Sequence, residues 1–151
     1  MLAVIQRVLE ASVSVESELM GIINEGFLVF LGVKHDDNEN EARYLAAKTA
    51  NLRVFNDSEG KMNLSLLDTG FCALVISQFT LHADTKHGNR PGFTDSAGPQ
   101  HAEELYSVFI EEMKQLLGHD KVAEGKFGAM MKVKLLNDGP VTITLKSKNE
   151  D

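Results

Sequence analysis

Hydrophobic and polar residues alternate in three stretches of the chain. Val13 and Val15 alternate with Ser12 and Ser14, Met131, Val133 and Leu135 with Lys132 and Lys134, and Val141, Ile143 and Leu145 with Thr142 and Thr144. Period-two alternation predicts strands with one buried face. Phe27 to Leu31 and Cys72 to Ile76 are instead continuously apolar over strand-like lengths, which predicts strands buried on both faces. Two other segments follow helical spacing. The first opens on Asn38, with Glu41 three positions on as a capping-box partner, and sets Ala42, Leu45, Ala46, Thr49 and Leu52 on one stripe. The second opens on Gly98-Pro99, where a first helical turn tolerates proline, and has Glu103 and Glu104 near the positive end of the helix dipole. Its stripe is Ala102, Leu105, Tyr106, Phe109, Met113, Leu116 and Leu117, and Gly118 closes it. A strand buried on both faces needs a layer on each side. The expected fold is therefore a mixed α+β (α/β) single domain, layered β/β/α, with two sheets and the helices packed on one outer side.

Length and composition agree with one domain over 1–151. A chain of 151 residues buries roughly two thirds of the surface its unfolded form exposes, enough for a core without disulfide or metal. With 43% hydrophobic and 25% charged residues, disorder is expected only in the last few residues, Lys146 to Asp151. The first residues lack a basic segment followed by a long apolar one, and no apolar run approaches the ~20 residues of a membrane span, so a cytoplasmic protein is expected. The single cysteine, Cys72, excludes an internal disulfide, and its apolar surroundings read as a buried core thiol. A net charge of −7 argues against a general nucleic-acid binder, which needs a basic face to displace counterions from phosphates. It permits an enzyme that touches only a few nucleotides at one end.

Candidate chemistry is sparse. Ser77, His82 and Asp84 lie close together, but a strand continuing from Cys72 through Leu81 would point Ser77 and His82 to opposite faces. No Gly-x-Ser-x-Gly elbow exposes a nucleophile either. The five histidines form no i, i+4 pair, and the glycines form no dinucleotide or Walker pattern. Two segments stand out. Ser77-Gln78-Phe79-Thr80 ends an otherwise apolar strand with polar residues, as a strand edge turning into a loop would. Asn137-Asp138-Gly139-Pro140-Val141-Thr142 reads by itself as a tight turn joining two strands.

In these two segments the sequence resembles the bacterial and eukaryotic D-aminoacyl-tRNA deacylase family, whose signatures read Ser-Gln-Phe-Thr and Asn-x-Gly-Pro-Val-Thr. The likeness runs from Ile5-Gln6-Arg7-Val8 through the Asn89-Arg90-Pro91-x-Phe93 loop to the closing strand. Gly92 departs from it, since relatives often carry Ser there. The resemblance implies a β/β/α fold, a homodimer with active sites at the dimer interface, and no metal or organic cofactor. Ser77, Gln78, Phe79 and Thr80 would line the pocket of one subunit, and Gly139-Pro140, with its peptide bond cis, would reach in from the other. Their main-chain carbonyls would accept bonds from the substrate ammonium and fill the space an L side chain needs. Glycine, which has no side chain to exclude, would pass this filter, making glycyl-tRNA a second substrate beside D-aminoacyl-tRNA. Met131 would wall the pocket and Arg7 brace the Gly-Pro loop. Backbone N–H groups of Phe79 and Thr80 could stabilise the charge that develops on the ester carbonyl oxygen. Thr80 is an alternative nucleophile, yet no base is apparent to activate it, which favours assistance from the ribose 2′-OH. Lys86 and Arg90, in a local basic patch, are candidates for tRNA phosphate contacts. Two other readings stay open: a non-catalytic dimerising or RNA-binding module, and a small-molecule esterase.

Overall fold

The computed structural model describes residues 1–148. Strand β1 (Leu2–Val15) turns at Glu16 and Ser17 into β2 (Glu18–Ile23), followed by β3 (Gly26–Gly32), α1 (Glu39–Ala50), the short β4 (Phe55–Asn56) and β5 (Met62–Leu64), and α2 (Leu66–Thr69). Then come β6 (Cys72–Ser77), a 3-10 turn (Phe79–His82), α3 (Pro99–Leu117), a second such turn (His119–Lys121), β7 (Val122–Glu124) and β8 (Lys132–Lys146). No helix among the described residues is long and apolar enough to cross a membrane.

Both expected helices start where their caps predict. At α1 the Asn38 side chain accepts from the Asn40 N–H at 2.9 Å while Glu41 Oε2 accepts from the Asn38 N–H at 2.9 Å, completing the capping box. Pro99 opens α3, whose Leu105, Tyr106, Phe109, Ile110 and Met113 are buried.

The two β layers are parts of one hydrogen-bonded sheet. One edge of β1 carries β8 along nearly its whole length, and the other carries antiparallel β3 beside its first half and β2 beside its second. Parallel β6 and then β7 extend the sheet beyond β3. In β1, Ala3 and Ile5 belong to the cluster under the helices, whereas Val8, Ala11 and Val13 belong to a second cluster on the opposite face. A register shift between Val8 and Glu10 inserts an extra residue and moves the buried phase from one face to the other. Past that bulge, β1 and β2 lie over β6 and β7 as the outer β layer.

The continuously apolar strands are consequently covered on both sides. Phe27, Val29, Ala73 and Val75 face the helix-side cluster, and Leu28, Leu74 and Ile76 face the other. Cys72 is half-buried at the margin of the second cluster rather than deep in a core. In the expected unstructured tail, Lys146 closes β8, and Ser147 is buried with its N–H donating to the Met1 carbonyl at 3.0 Å. Residues 149–151 of that tail lie outside the described residues.

Candidate active site

β3 ends at Gly32, and with it the ladder that holds β6. The last bond of this register runs from the Gln78 N–H to the Leu31 carbonyl at 2.8 Å. Released from the ladder, the chain coils into the 3-10 turn Phe79–His82. The first N–H groups of such a turn have no acceptor within it, so those of Phe79 and Thr80 are the groups free to meet a ligand oxygen. The strand therefore does not continue through Leu81, contrary to the premise used above to separate Ser77 from His82. His82 is buried beneath β3, where a Cβ on Gly32 would come within 3.0 Å of its Nε2. Asp84 is exposed and accepts from the Lys86 N–H at 2.9 Å. No Ser-His-Asp arrangement forms.

A cavity of about 740 Å³ opens above this turn. Ser77, Gln78, Phe79 and Thr80 line one side, Met131 and the exposed Met130 another, and Phe93 a third. Phe79 and Phe93 meet edge to face with ring centroids 5.0 Å apart. The Thr80 hydroxyl accepts from Gln78 Nε2 at 2.5 Å, an amide that cannot take its proton. No carboxylate, histidine, lysine or arginine lines the cavity among the described residues, and its one ionisable group is Tyr106. Burial, and secondarily the nearby Glu124, pushes that phenol far above its ordinary range, and its hydroxyl donates to the Val75 carbonyl at 2.9 Å. The chain thus brings main-chain donors and apolar walls to the site, but no side-chain base. No group of three or more His, Cys, Asp or Glu suited to a metal occurs among the described residues.

The second signature is not a turn between strands. Gln6 pairs with Thr142 and Val8 with Asn137, so residues 138–141 face Arg7 alone and bulge out of one continuous strand, β8. Side chains close the neck: Asn137 Oδ1 accepts from the Val141 N–H at 3.0 Å, and Asn137 and Gln6 both donate to the Thr142 hydroxyl at 3.2 Å. Arg7, only 8% exposed, donates through Nε to the Asp138 carbonyl at 3.1 Å and through Nη1 to the Val54 carbonyl at 2.6 Å. The Gly139-Pro140 peptide bond is cis, and both residues are exposed.

Within one chain the two signatures lie apart. Ser77 pairs with Leu31 and Leu31 with Ala3, four residues from Arg7, and three strand spacings separate β6 from β8. At ~3.3 Å per residue and ~4.8 Å per strand this is about 13 Å along and about 14 Å across, roughly 19 Å in all.

A model of the family described as D-Tyr-tRNA(Tyr) deacylase matches residues 4–146. The chain belongs to this family. Proteins named D-aminoacyl-tRNA deacylase are similar to it over nearly their whole length. The one from Roseiflexus sp. (strain RS-1) is 56% identical over 97% of this chain and 94% of its own, and the one from Salinibacter ruber is 50% identical over 100% of both. Among solved structures, one titled c-Myc DNA Unwinding Element Binding Protein superposes with a TM-score of 0.93 at 40% identity, covering 97% of this chain and 99% of its own. Another, of a probable eukaryotic D-amino acid tRNA deacylase, gives 0.83 at 16% identity over 95% and 97%, and speaks for the fold alone.

Of the residues singled out in the sequence, Ser77, Gln78, Phe79, Thr80 and Met131 come together around the cavity. Arg7, Gly139 and Pro140 come together elsewhere. Lys86 and Arg90 are exposed on a loop whose ends are pinned by the Asp84–Gly92 bridge beside the cavity mouth. Sequence reasoning did not find Met130, Tyr106 or Phe127 as lining residues. Tyr106 reads there as one member of a helical stripe, and the other two sit in an irregular segment without periodicity.

Proposed function

We propose that this chain hydrolyses the ester joining a D-amino acid, or glycine, to the 3′-terminal adenosine of tRNA, acting in the cytoplasm as a homodimer without metal or organic cofactor. The observation that carries the reading is the distance between the two intact signatures, roughly 19 Å within one chain by strand geometry. If both act on one substrate, a second copy must supply Gly139-Pro140 to the cavity of the first. An unpaired strand edge favours such assembly. β8 pairs only with β1 among the described residues, and Leu135 and Leu136 are exposed along it. A long open edge of this kind invites partner contact.

In the resulting site the ester carbonyl oxygen would receive the Phe79 and Thr80 N–H groups as attack makes it anionic. Thr80 is held as an acceptor by Gln78, and the cavity offers no base to activate its hydroxyl. The neighbouring ribose 2′-OH is then the group that assists the attacking water. The partner's main-chain carbonyls at the Gly-Pro pair would accept bonds from the substrate ammonium and occupy the space an L side chain needs, with Met131 as the facing wall. Lys86 and Arg90 would meet acceptor-end phosphates, giving an acidic protein one local basic contact.

Purified protein incubated with D-tyrosyl-tRNA, L-tyrosyl-tRNA and glycyl-tRNA tests the reading directly. Rapid release of D-tyrosine and glycine with L-tyrosyl-tRNA spared is expected. Equal rates for the D and L esters, or a monomer by light scattering at the assay concentration, would overturn it.

A further inference from the structure

Ser96 donates its hydroxyl hydrogen bond to the main-chain carbonyl of Phe79 at 3.0 Å. That carbonyl shares a rigid peptide plane with the Thr80 N–H, and the two point in opposite directions. Whatever fixes the carbonyl therefore fixes where the N–H aims. We propose that Ser96 is a positioning residue for the hydrolytic reaction: it orients and polarises the peptide unit whose N–H faces the reacting carbonyl. The inference rests on the main-chain oxyanion reading given above.

Two features support the assignment. The first is that Ser96 is itself held firmly. The Ala97 N–H donates to the Val33 carbonyl at 2.9 Å, the His35 N–H to the Asp95 carbonyl at 3.4 Å, and Ser96 bridges Lys34. These bonds hang the 95–97 segment on the chain just past β3, while the Gln78 N–H bond to Leu31 hangs the turn on the end of β3 itself. Hydroxyl and peptide thus share one rigid support, as preorganised catalysis requires. The second is electronic. A bond donated to a carbonyl oxygen draws electron density through the amide and makes the opposite N–H a stronger donor, the cooperative effect seen in hydrogen-bonded chains. The Phe79 carbonyl lies inside the 3-10 turn, whose ends are tied by the Leu81 N–H to the Gln78 carbonyl at 3.4 Å and the Ala83 N–H to the Thr80 carbonyl at 3.2 Å, and Ser96 adds a donor to it from outside the turn.

The test compares Ser96→Ala and Ser96→Thr with the parent protein, using D-tyrosyl-tRNA turnover, melting temperature and the NMR resonance of the Thr80 amide proton. One neutral hydrogen bond is worth a change of about two- to tenfold. Ser96→Ala should lose kcat by that factor with KM and melting temperature unmoved and the Thr80 amide shifted upfield, and Ser96→Thr should restore both. A Ser96→Ala protein with parental kcat and an unmoved amide would overturn the proposal. So would a loss of kcat that merely tracks a lower melting temperature. If instead the Thr80 amide responds to Ser96 in a parent that cleaves no ester, the positioning stands and the oxyanion assignment falls.

Discussion

Removing Arg7 should both loosen the protein and disable the Gly-Pro bulge. In Arg7→Ala the buried Val54 carbonyl, on a residue 6% exposed, loses a charged donor 2.6 Å away. Hydrogen bonds to charged groups contribute about 1.5–3 kcal/mol each. The second bond, to the Asp138 carbonyl, and the ion pair with its carboxylate at 3.3 Å count for less, because that side chain is 44% exposed and regains water. A net loss of about 3 kcal/mol follows, or about 6–12 °C in melting temperature for a domain of this size. Arg7→Lys should lose about half as much, since one ammonium cannot span two carbonyls as a guanidinium fork does. Urea midpoints at fixed protein concentration, read beside D-tyrosyl-tRNA turnover of the still-folded fraction, check both. Turnover should fall further than stability explains, because the bulge loses its brace. An Arg7→Ala protein with parental midpoint and turnover would refute the reasoning, and so, for the fork, would Arg7→Lys equal to the parent in both.

Three further outcomes are expected. Thr80→Ala should lose less than about a hundredfold in kcat, below the ~10²–10³ typical of an oxyanion donor, because its main chain remains; a trapped acyl-threonine in the parent would show that the hydroxyl itself attacks. Gly139→Ala places a side chain at φ 130°, with its Cβ 2.8 Å from Val141 Cγ2 and 3.2 Å from Arg7 Nη2. About 1–3 kcal/mol of strain should result, seen as a lower urea midpoint and an eroded D-to-L ratio, and an unchanged ratio would show that the discrimination is built elsewhere. Lys86→Ala with Arg90→Ala should weaken tRNA binding and lower the slope of log affinity against log salt by one to two units at most; an unchanged slope would move the phosphate contact to another surface.

The parts of the fold legible in the sequence are those whose signal is local. Asn38 with Glu41, Pro99 with Gly118, and the apolar runs at Phe27 and Cys72 each state their own geometry, and the structure repeats them. What stayed hidden depended on distant pairing. Asn137 to Thr142 reads as a turn because Gly-Pro commonly makes one, and it takes Gln6 and Arg7, far off in sequence, together with Asn137 at the neck, to hold the excursion as a bulge in a continuing strand. The end of β6 at Ser77 is set by where β3 stops. β7 is three residues long, too short to express a period. The cavity draws on Phe93, Tyr106, Phe127 and Met130 from separate segments, so no window of sequence contains it. The opposite phases of Ala3 and Ala11 in β1 follow from one inserted residue, invisible to alternation alone.

The bridge between Asp84 and Gly92, with N–H to carbonyl bonds of 2.8 and 2.9 Å in both directions, has a consequence for how the protein can diversify. It pinches residues 85–91 off from the turn before them and from the Phe93 segment after them, much as a drawstring isolates the mouth of a bag. Changes in loop length cost little once the ends are clamped, since closure entropy grows only slowly with length. This stretch can therefore be lengthened, shortened or exchanged for another without disturbing the Phe79–Thr80 main chain. On the function proposed above, contact with the nucleic acid and the chemistry of the ester would then belong to separate modules of the chain, free to vary independently.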